Sequence, residues 1–208
     1  MRRGPDGHND LVRGDPVPGV AGLVLTGGTS SRMGRDKAAL PVGGQTLAER
    51  VAGRLSGVVA PVLEVGPGRC GLPVAPEDRP GAGPLAALVA GWSTLEAGGR
   101  RGPVVVLACD LPNVSERLLR FLATRPGSGS VVPVVDGRPQ PLCARFSASA
   151  LDHAALMAAA GWRSLAPLLE HTDVRWLEPS EWSRVADRVE FADVDTPADL
   201  DRLGLAAR

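Results

Sequence analysis

The sequence predicts an α/β protein with a single doubly wound, mostly parallel sheet of Rossmann-like character. Three observations lead there. First, the apolar runs Ala21 to Thr26, Pro61 to Val65, Pro103 to Cys109 and Ser130 to Val135 are short and bounded by turn residues, as strands buried on both faces are. Second, the stretches QTLAERVAGRL and GPLAALVAGWSTLEA space their apolar residues three and four apart, which suits a helix laid on a sheet. Third, the resulting order is β-α-β-α-β-α, the pattern that crossover helices impose on parallel strands.

Beyond Val135 the pattern is less regular. PQPLCARF reads as a further strand, SASALDHAALMAAA as a helix, SLAPLLEH as a short helix, and DVRWLE and RVEFADVD as strands. TPADLDRLG then offers a threonine cap, proline at the first helical position and an aspartate in the first turn, which together predict a last helix. At 208 residues the chain suits one domain. No linker divides it, and RPGSGS (Arg125 to Ser130) is read as a surface connection. Residues 1–19, rich in Gly, Pro and charge and without the apolar core of a signal peptide, are expected to be a flexible leader, leaving 20–208 as the domain.

Composition narrows the function. Lys plus Arg and Asp plus Glu both number 23, so no net charge draws the chain to nucleic acid or to an anionic membrane, and anion binding must be local. Aromatic residues at 3% argue against a nucleic-acid stacking surface, and the four tryptophans are read as packing residues. No apolar run approaches the roughly 18 residues needed to span a bilayer. Cys70, Cys109 and Cys143 lack the paired spacing of a zinc or thioredoxin-type site and are read as reduced thiols of a cytoplasmic protein, the latter two packed as small apolar residues. His8, His153 and His171 have no partners at metal-ligand spacing.

The stretch VLTGGTSSRMGRDKAAL, Val24 to Leu40, carries the chemistry. In a doubly wound sheet the turn after the first strand is the usual phosphate site. Gly27 and Gly28 let backbone amides approach an anion, Thr29, Ser30 and Ser31 add donors, and Arg32 and Lys37 add charge. Cations gathered on one loop repel one another unless an anion is present. Neither the GxxxxGK[ST] nor the GxGxxG pattern fits.

The run LTGGTSSRMGRDK resembles the signature of nucleotidyltransferases that couple a nucleoside triphosphate to a phosphorylated acceptor, written loosely L-A-G-G-x-S-x-R-M-G-x-D-K. Leu25, Gly27, Gly28, Ser30, Arg32, Met33, Gly34, Asp36 and Lys37 match it, and Thr26 stands where alanine is usual. Further segments look like one branch, the molybdenum cofactor guanylyltransferases: EDRPGAGPLAAL (Glu77 to Leu88), ACDLP (Ala108 to Pro112), DGRPQPLCARF (Asp136 to Phe146) and DVDTPADL (Asp193 to Leu200). Cytidylylating relatives usually carry proline at the position of Asp36 and glutamine at that of Leu111, so both residues favour guanine. The resemblance runs from about Ala21 to Leu203. Three positions depart from it: Ala87 replaces a glycine and tightens the space beside the nucleotide, Val65 replaces an asparagine after the second strand, and Asp193 and Asp195 replace asparagines in a late N-V-N-T-P block.

The resemblance implies that GMP passes from GTP to the phosphate of molybdopterin, with release of pyrophosphate. Asp110, at the end of an apolar strand, is the candidate ligand of Mg²⁺, which takes one or two protein carboxylates together with phosphate oxygens and water. Lys37 is assigned to the α/β-phosphates and Arg32 to the β/γ-phosphates, so that Arg32, Lys37 and Asp110 form the catalytic set. Leu25, Thr26, Gly27, Gly28, Ser30, Val65, Asp78 and Gly83 join them as nucleotide-binding positions: Asp78 for guanine or its ribose, Gly83 to bring a helix N-terminus to the ligand. Arg138, Gln140, Asp193 and Asp195 are the candidates for the acceptor side. A molybdenum insertase or a molybdoenzyme chaperone are candidate partners. The same residues leave open another base or acceptor (a molybdopterin cytidylyltransferase, a phospholactate or cobinamide-phosphate guanylyltransferase) and a non-catalytic binding module.

Overall fold

The computed structural model describes residues 14–27 and 37–205. Its strands are β1 (Ala21–Leu25), β2 (Pro41–Val42), β3 (Gln45–Thr46), β4 (Val62–Val65), β5 (Val74–Ala75), β6 (Val104–Ala108), β7 (Ser130–Val135), β8 (Arg138–Pro139), β9 (Cys143–Phe146) and β10 (Val174–Leu177). Its helices are α1 (Leu47–Ser56), α2 (Pro84–Ala97), α3 (Glu116–Ala123), α4 (Ala148–Ala159), α5 (Ala166–Glu170), α6 (Pro179–Trp182) and α7 (Pro197–Arg202). The main sheet runs β10-β7-β9-β6-β1-β4-β5, with β8 paired to β7. β1 is parallel to both β4 and β6, β5 is parallel to β4, and β10 is parallel to β7, so the sheet is mostly parallel. β9 is antiparallel to both β6 and β7. The chain leaves β1 toward β4 on one side and later returns to β6 on the other. The carboxyl end of β1 is therefore the switch point where an open α/β sheet takes its ligands.

Alternation along the strands divides the core. Val24, Val105 and Leu107 face α1 and α3, whereas Leu23, Leu25, Val104 and Val106 face α2 and α4. α1 begins with a reciprocal cap, in which Thr46 Oγ1 accepts from the Glu49 amide and Glu49 returns the bond to the Thr46 amide. Before it, β2 and β3 form a hairpin through Gly43 and Gly44, both at positive φ, as the tight primed turn of such hairpins demands. α2 lies close on the sheet because Gly91 has no side chain: a Cβ there would come within 2.5 Å of Leu23.

Two regions differ from the sequence expectation. RVEFADVD is no strand. Asp187 and Glu190 form a capping box around a short 3-10 turn, Arg188–Phe191, and Phe191 meets Trp182 edge-on at 5.0 Å. Of the four tryptophans, Trp92 and Trp182 are buried while Trp162 and Trp176 are exposed. The later part of the sequence-assigned leader is in contact with the domain: Val17 donates to the Val58 carbonyl, and Arg120 donates to the carbonyls of Gly14 and Asp15. Among the described residues none of the three cysteines forms a disulfide, and no helix is long and apolar enough to cross a membrane.

Trp92, 1% exposed between α2 and the sheet, also donates from its indole nitrogen to Asp152 on α4. Trp92→Ala is expected to cost about 3–5 kcal/mol, through lost burial and the cavity it leaves. Urea unfolding followed by far-UV circular dichroism checks this.

Candidate active site

Leu25, at the end of β1, and Thr26 and Gly27 just beyond it open into a cavity of about 360 Å³. Lys37, Glu77, Gly83, Ala87, Cys109, Asp110 and Leu142 also line it. The sheet topology thus gathers Leu25, Thr26, Gly27, Lys37, Gly83 and Asp110 from the sequence-derived set around one space. Gly28, Ser30 and Arg32 lie outside the described residues.

Asp110 follows β6, whose end is tied to β1 by a bond from the Cys109 amide to the Leu25 carbonyl. Burial pushes the Asp110 carboxyl above the ordinary carboxylate range; Lys37 pulls it down, while Asp193 and Asp195 push it further up. Lys37 is itself ion-paired with Asp195. The segment bearing both aspartates is hooked to this strand end, since the Val194 amide donates to the Asp110 carbonyl at 2.9 Å and the Val194 side chain is fully buried. Asp195 therefore sits beside the candidate phosphate lysine, not only on the acceptor side as the sequence suggested.

This charge balance tests whether the residues suit Mg²⁺. A mostly buried carboxylate with two further carboxylates in its field and one lysine as counter-charge carries a surplus of negative charge, which a divalent cation would neutralise. Among the described residues no three His, Cys, Asp or Glu side chains converge as a metal cluster. An ion held by Asp110 would complete its shell from phosphate oxygens and water, as Mg²⁺ ordinarily does.

Three binding positions are placed differently from the sequence expectation. Val65 is fully buried in the core and contributes only its carbonyl, which accepts from the Thr26 amide at 3.0 Å and the Gly27 amide at 3.4 Å. Asp78 is exposed and lies outside this cavity, whereas its neighbour Glu77 lines it. The Glu77 carboxylate sits so near the turn that a Cβ on Gly27 would stand 3.0 Å from Oε2, and burial raises its pKa. The two are adjacent in sequence, and only the path of the loop decides which one enters. Gly83 lines the cavity at φ +104, but the start of α2 offers fewer donors than a free helix end. Pro84 has no N–H, and the Leu85 amide donates to the Arg163 carbonyl at 3.2 Å.

Arg163 was not legible as a site residue. From the turn after α4 it donates to the carbonyls of Ala82 and Gly81 at 2.9 and 3.0 Å, holding the loop that walls the cavity. A side chain at Gly83 would meet the Arg163 carbonyl at 2.8 Å.

Glu64, a fully buried carboxylate on β4, is a second such residue. It accepts from Thr26 Oγ1 at 2.5 Å, from the Arg69 amide at 2.6 and 2.8 Å, and from both the amide and the thiol of Cys70 at 2.9 Å. Burial alone would raise its pKa, but these bonds outweigh burial and hold it below the usual 4.5, while the Cys70 thiol is pushed up to about 12 by burial and by Glu64.

A second cavity of about 720 Å³ lies on the other side of Asp110. Arg138, Gln140, Arg188, Asp193 and Arg202 line it, and Asp110 and Leu142 border both spaces. Arg188 pairs with Asp136 at the hairpin tip and Arg202 with Asp199, so the guanidinium groups stand on a partly neutralised rim.

Because the folded-state pKa of Glu64 is depressed, its contribution to stability is present above the unfolded-state value and is lost as pH falls through the lower folded value. Glu64→Gln is expected to be less stable than wild type by about 1.5–3 kcal/mol at neutral pH. The gap should narrow as pH falls below about 4.5, as thermal unfolding at a series of pH values will show.

Residues 22–179 match the family model described as a MobA-like NTP transferase domain. A probable molybdenum cofactor guanylyltransferase of Mycobacterium tuberculosis is 38% identical over 169 residues, 76% of this chain and 83% of the relative. One of the same description from Pelotomaculum thermopropionicum is 32% identical over 188 residues, 87% of this chain and 90% of the relative. Among solved structures, molybdopterin-guanine dinucleotide biosynthesis protein A from Archaeoglobus fulgidus superposes with a TM-score of 0.73 at 25% identity, covering 88% of this chain and 96% of that one. With the family model spanning most of its length and its cavities meeting at Asp110, the chain belongs to the MobA-like NTP transferase family.

Proposed function

We propose that the protein transfers GMP from GTP to the phosphate of molybdopterin, releasing pyrophosphate and forming molybdopterin guanine dinucleotide. The observation that carries this reading is the position of Asp110 on the border of two cavities, one walled by Leu25 to Gly27, Lys37 and the start of α2, the other rimmed by arginines. The names borne by relatives in Mycobacterium and Pelotomaculum support the same base and acceptor.

In this reading GTP occupies the cavity between the end of β1 and α2, with its phosphates toward Lys37. The acceptor enters the arginine-rimmed cavity with its phosphate toward Asp110. An acceptor phosphate oxygen forms a bond to the α-phosphorus while the bond from that phosphorus to the α,β-bridging oxygen breaks, and the electron pair leaves with pyrophosphate. Nothing covalent is required of the protein, so its work is positioning and fixed electrostatics. Lys37 lies against the growing negative charge, and Asp110 would hold the Mg²⁺ that neutralises phosphate oxygens and polarises the phosphorus. Arg138, Arg188 and Arg202 orient the anionic acceptor. Glu77 takes the place that the sequence gave to Asp78: it faces the nucleotide cavity and can accept from the paired donors on guanine's edge.

Calorimetry with GTP, CTP and ATP, each with Mg²⁺, should show selective GTP binding that weakens in Lys37→Ala; a preference for CTP would overturn the base assignment. Asp110→Asn should fold normally yet lose turnover on the order of 10²–10³-fold, and full turnover in that variant would overturn the catalytic reading. The double variant Arg188→Ala/Arg202→Ala should raise KM for molybdopterin while leaving GTP affinity within about twofold, because its charges are screened from the nucleotide cavity; steady-state kinetics with each substrate varied will separate the two.

A further inference from the structure

The buried glutamate Glu64 is placed where the core has no need of a charge. β4 reads Val62, Leu63, Glu64, Val65, and Glu64 shows no exposed surface. A buried carboxylate is costly unless its oxygens are fully bonded. Here they are: Oε1 receives the Thr26 hydroxyl and the Arg69 amide, and Oε2 receives the amides of Arg69 and Cys70 and the Cys70 thiol.

These donors come from two separate loops at the carboxyl end of the sheet. One is the start of the Gly-rich turn and the other is the turn that follows β4. Glu64 joins them without lining the nucleotide cavity, whereas Thr26 and Gly27 do line it. The fit between the loops is close. A Cβ on Gly66 would fall 2.2 Å from Thr26 Oγ1, and the Gly66 Cα stands 3.8 Å from the position of a Cβ on Gly27. The Thr26 and Gly27 amides are directed at the Val65 carbonyl, so backbone and side chain fix this departure point together.

We propose that Glu64 is a positioning residue which, through the Thr26 hydroxyl and the turn at Gly66 to Cys70, fixes Thr26 and Gly27 against the nucleotide cavity and thereby sets affinity for the nucleoside triphosphate. The proposal rests on the reading that this cavity takes GTP. The hydroxyl of Thr26 is the working contact, since valine at this position keeps the shape and removes the donor. A latch that served only to hold the fold would lower the melting temperature on Thr26→Val and leave nucleotide affinity and the acceptor KM alike unchanged.

The test compares wild type, Thr26→Val and Thr26→Ser by calorimetry with GTP and Mg²⁺ and by steady-state kinetics. Thr26→Val is expected to lose about tenfold in GTP affinity, the equivalent of one hydrogen bond to a charged group, with the KM for molybdopterin within about twofold. Thr26→Ser, which keeps the hydroxyl, is expected to recover most of the loss. In the wild type, amide hydrogen exchange should be slow at Arg69 and Cys70 and slower still with GTP bound. Wild-type affinity in Thr26→Val, a serine variant as weak as the valine one, or freely exchanging amides at Arg69 and Cys70 would overturn the latch. Absence of GTP binding by wild type with those amides protected would instead overturn the assignment of the cavity, and the affinity role with it.

Discussion

The constraint on which the site depends is the balance of charge at the carboxyl end of β1 and β6. A carboxylate as buried as Asp110 is held above its ordinary pKa range, and the two aspartates of the 193–195 segment raise it further. Lys37 opposes them, and its ion pair with Asp195 ties the end of the Gly-rich turn to the C-terminal part of the chain. Everything that approaches this point must answer to that field. A triphosphate brings negative charge toward one lysine and three carboxylates, an arrangement that is unfavourable without further cations. In the proposed reading, a divalent cation held at Asp110 would offset this surplus of negative charge.

The fold places these groups by a few local devices. The switch point at β1 opens a crevice because the chain connections on its two sides lead toward opposite edges of the sheet. Its walls are then held by side chains that touch no ligand space themselves. Arg163 grips the loop at Gly81 and Ala82, and Glu64 draws the turn after β4 onto Thr26. On the far side, Val194 hooks the 193–195 segment to Asp110 and seats its own side chain with Val42, Leu47 and Leu205. Asp199 accepts from the Thr196 amide and hydroxyl and from the Asp195 amide, and is held below the usual carboxylate range by those bonds. One aspartate thus fixes the loop that presents another to Lys37.

Much of this was legible in the sequence, for reasons that differ by element. β1 and β6 are continuous apolar runs because helices cover both their faces, and such runs announce themselves. Lys37 and Asp110 were legible because each lies at the end of a recognisable element within a long motif. The misplacements share a physical origin. Glu77 and Asp78 are adjacent carboxylates on one loop, and no periodicity says which points inward. Val65 was read through a missing asparagine, whereas its side chain simply continues the alternation of β4 into the core. RVEFADVD has β-type composition, but Asp187 and Glu190 stand three apart and close a turn, so a local hydrogen bond prevails over propensity. Glu64 and Arg163 act through contacts distant in sequence, which a linear pattern does not contain.

The pairing of Lys37 with Asp195 also constrains how the two cavities communicate. A phosphate that reaches Lys37 competes with Asp195 for the same ammonium group, because a lysine side chain on a fixed backbone presents one centre of charge. Displacing Asp195 leaves a carboxylate without its counter-ion two residues from Asp193, which lines the other cavity. The segment between them is not free to swing away, since Val194 is buried and bonded to the Asp110 backbone. In the proposed reading the released charge would be met locally, by a cation arriving with the nucleotide. Occupancy of one cavity in this way alters the field in the other through a single buried residue and two aspartates beside it, with no movement of the sheet.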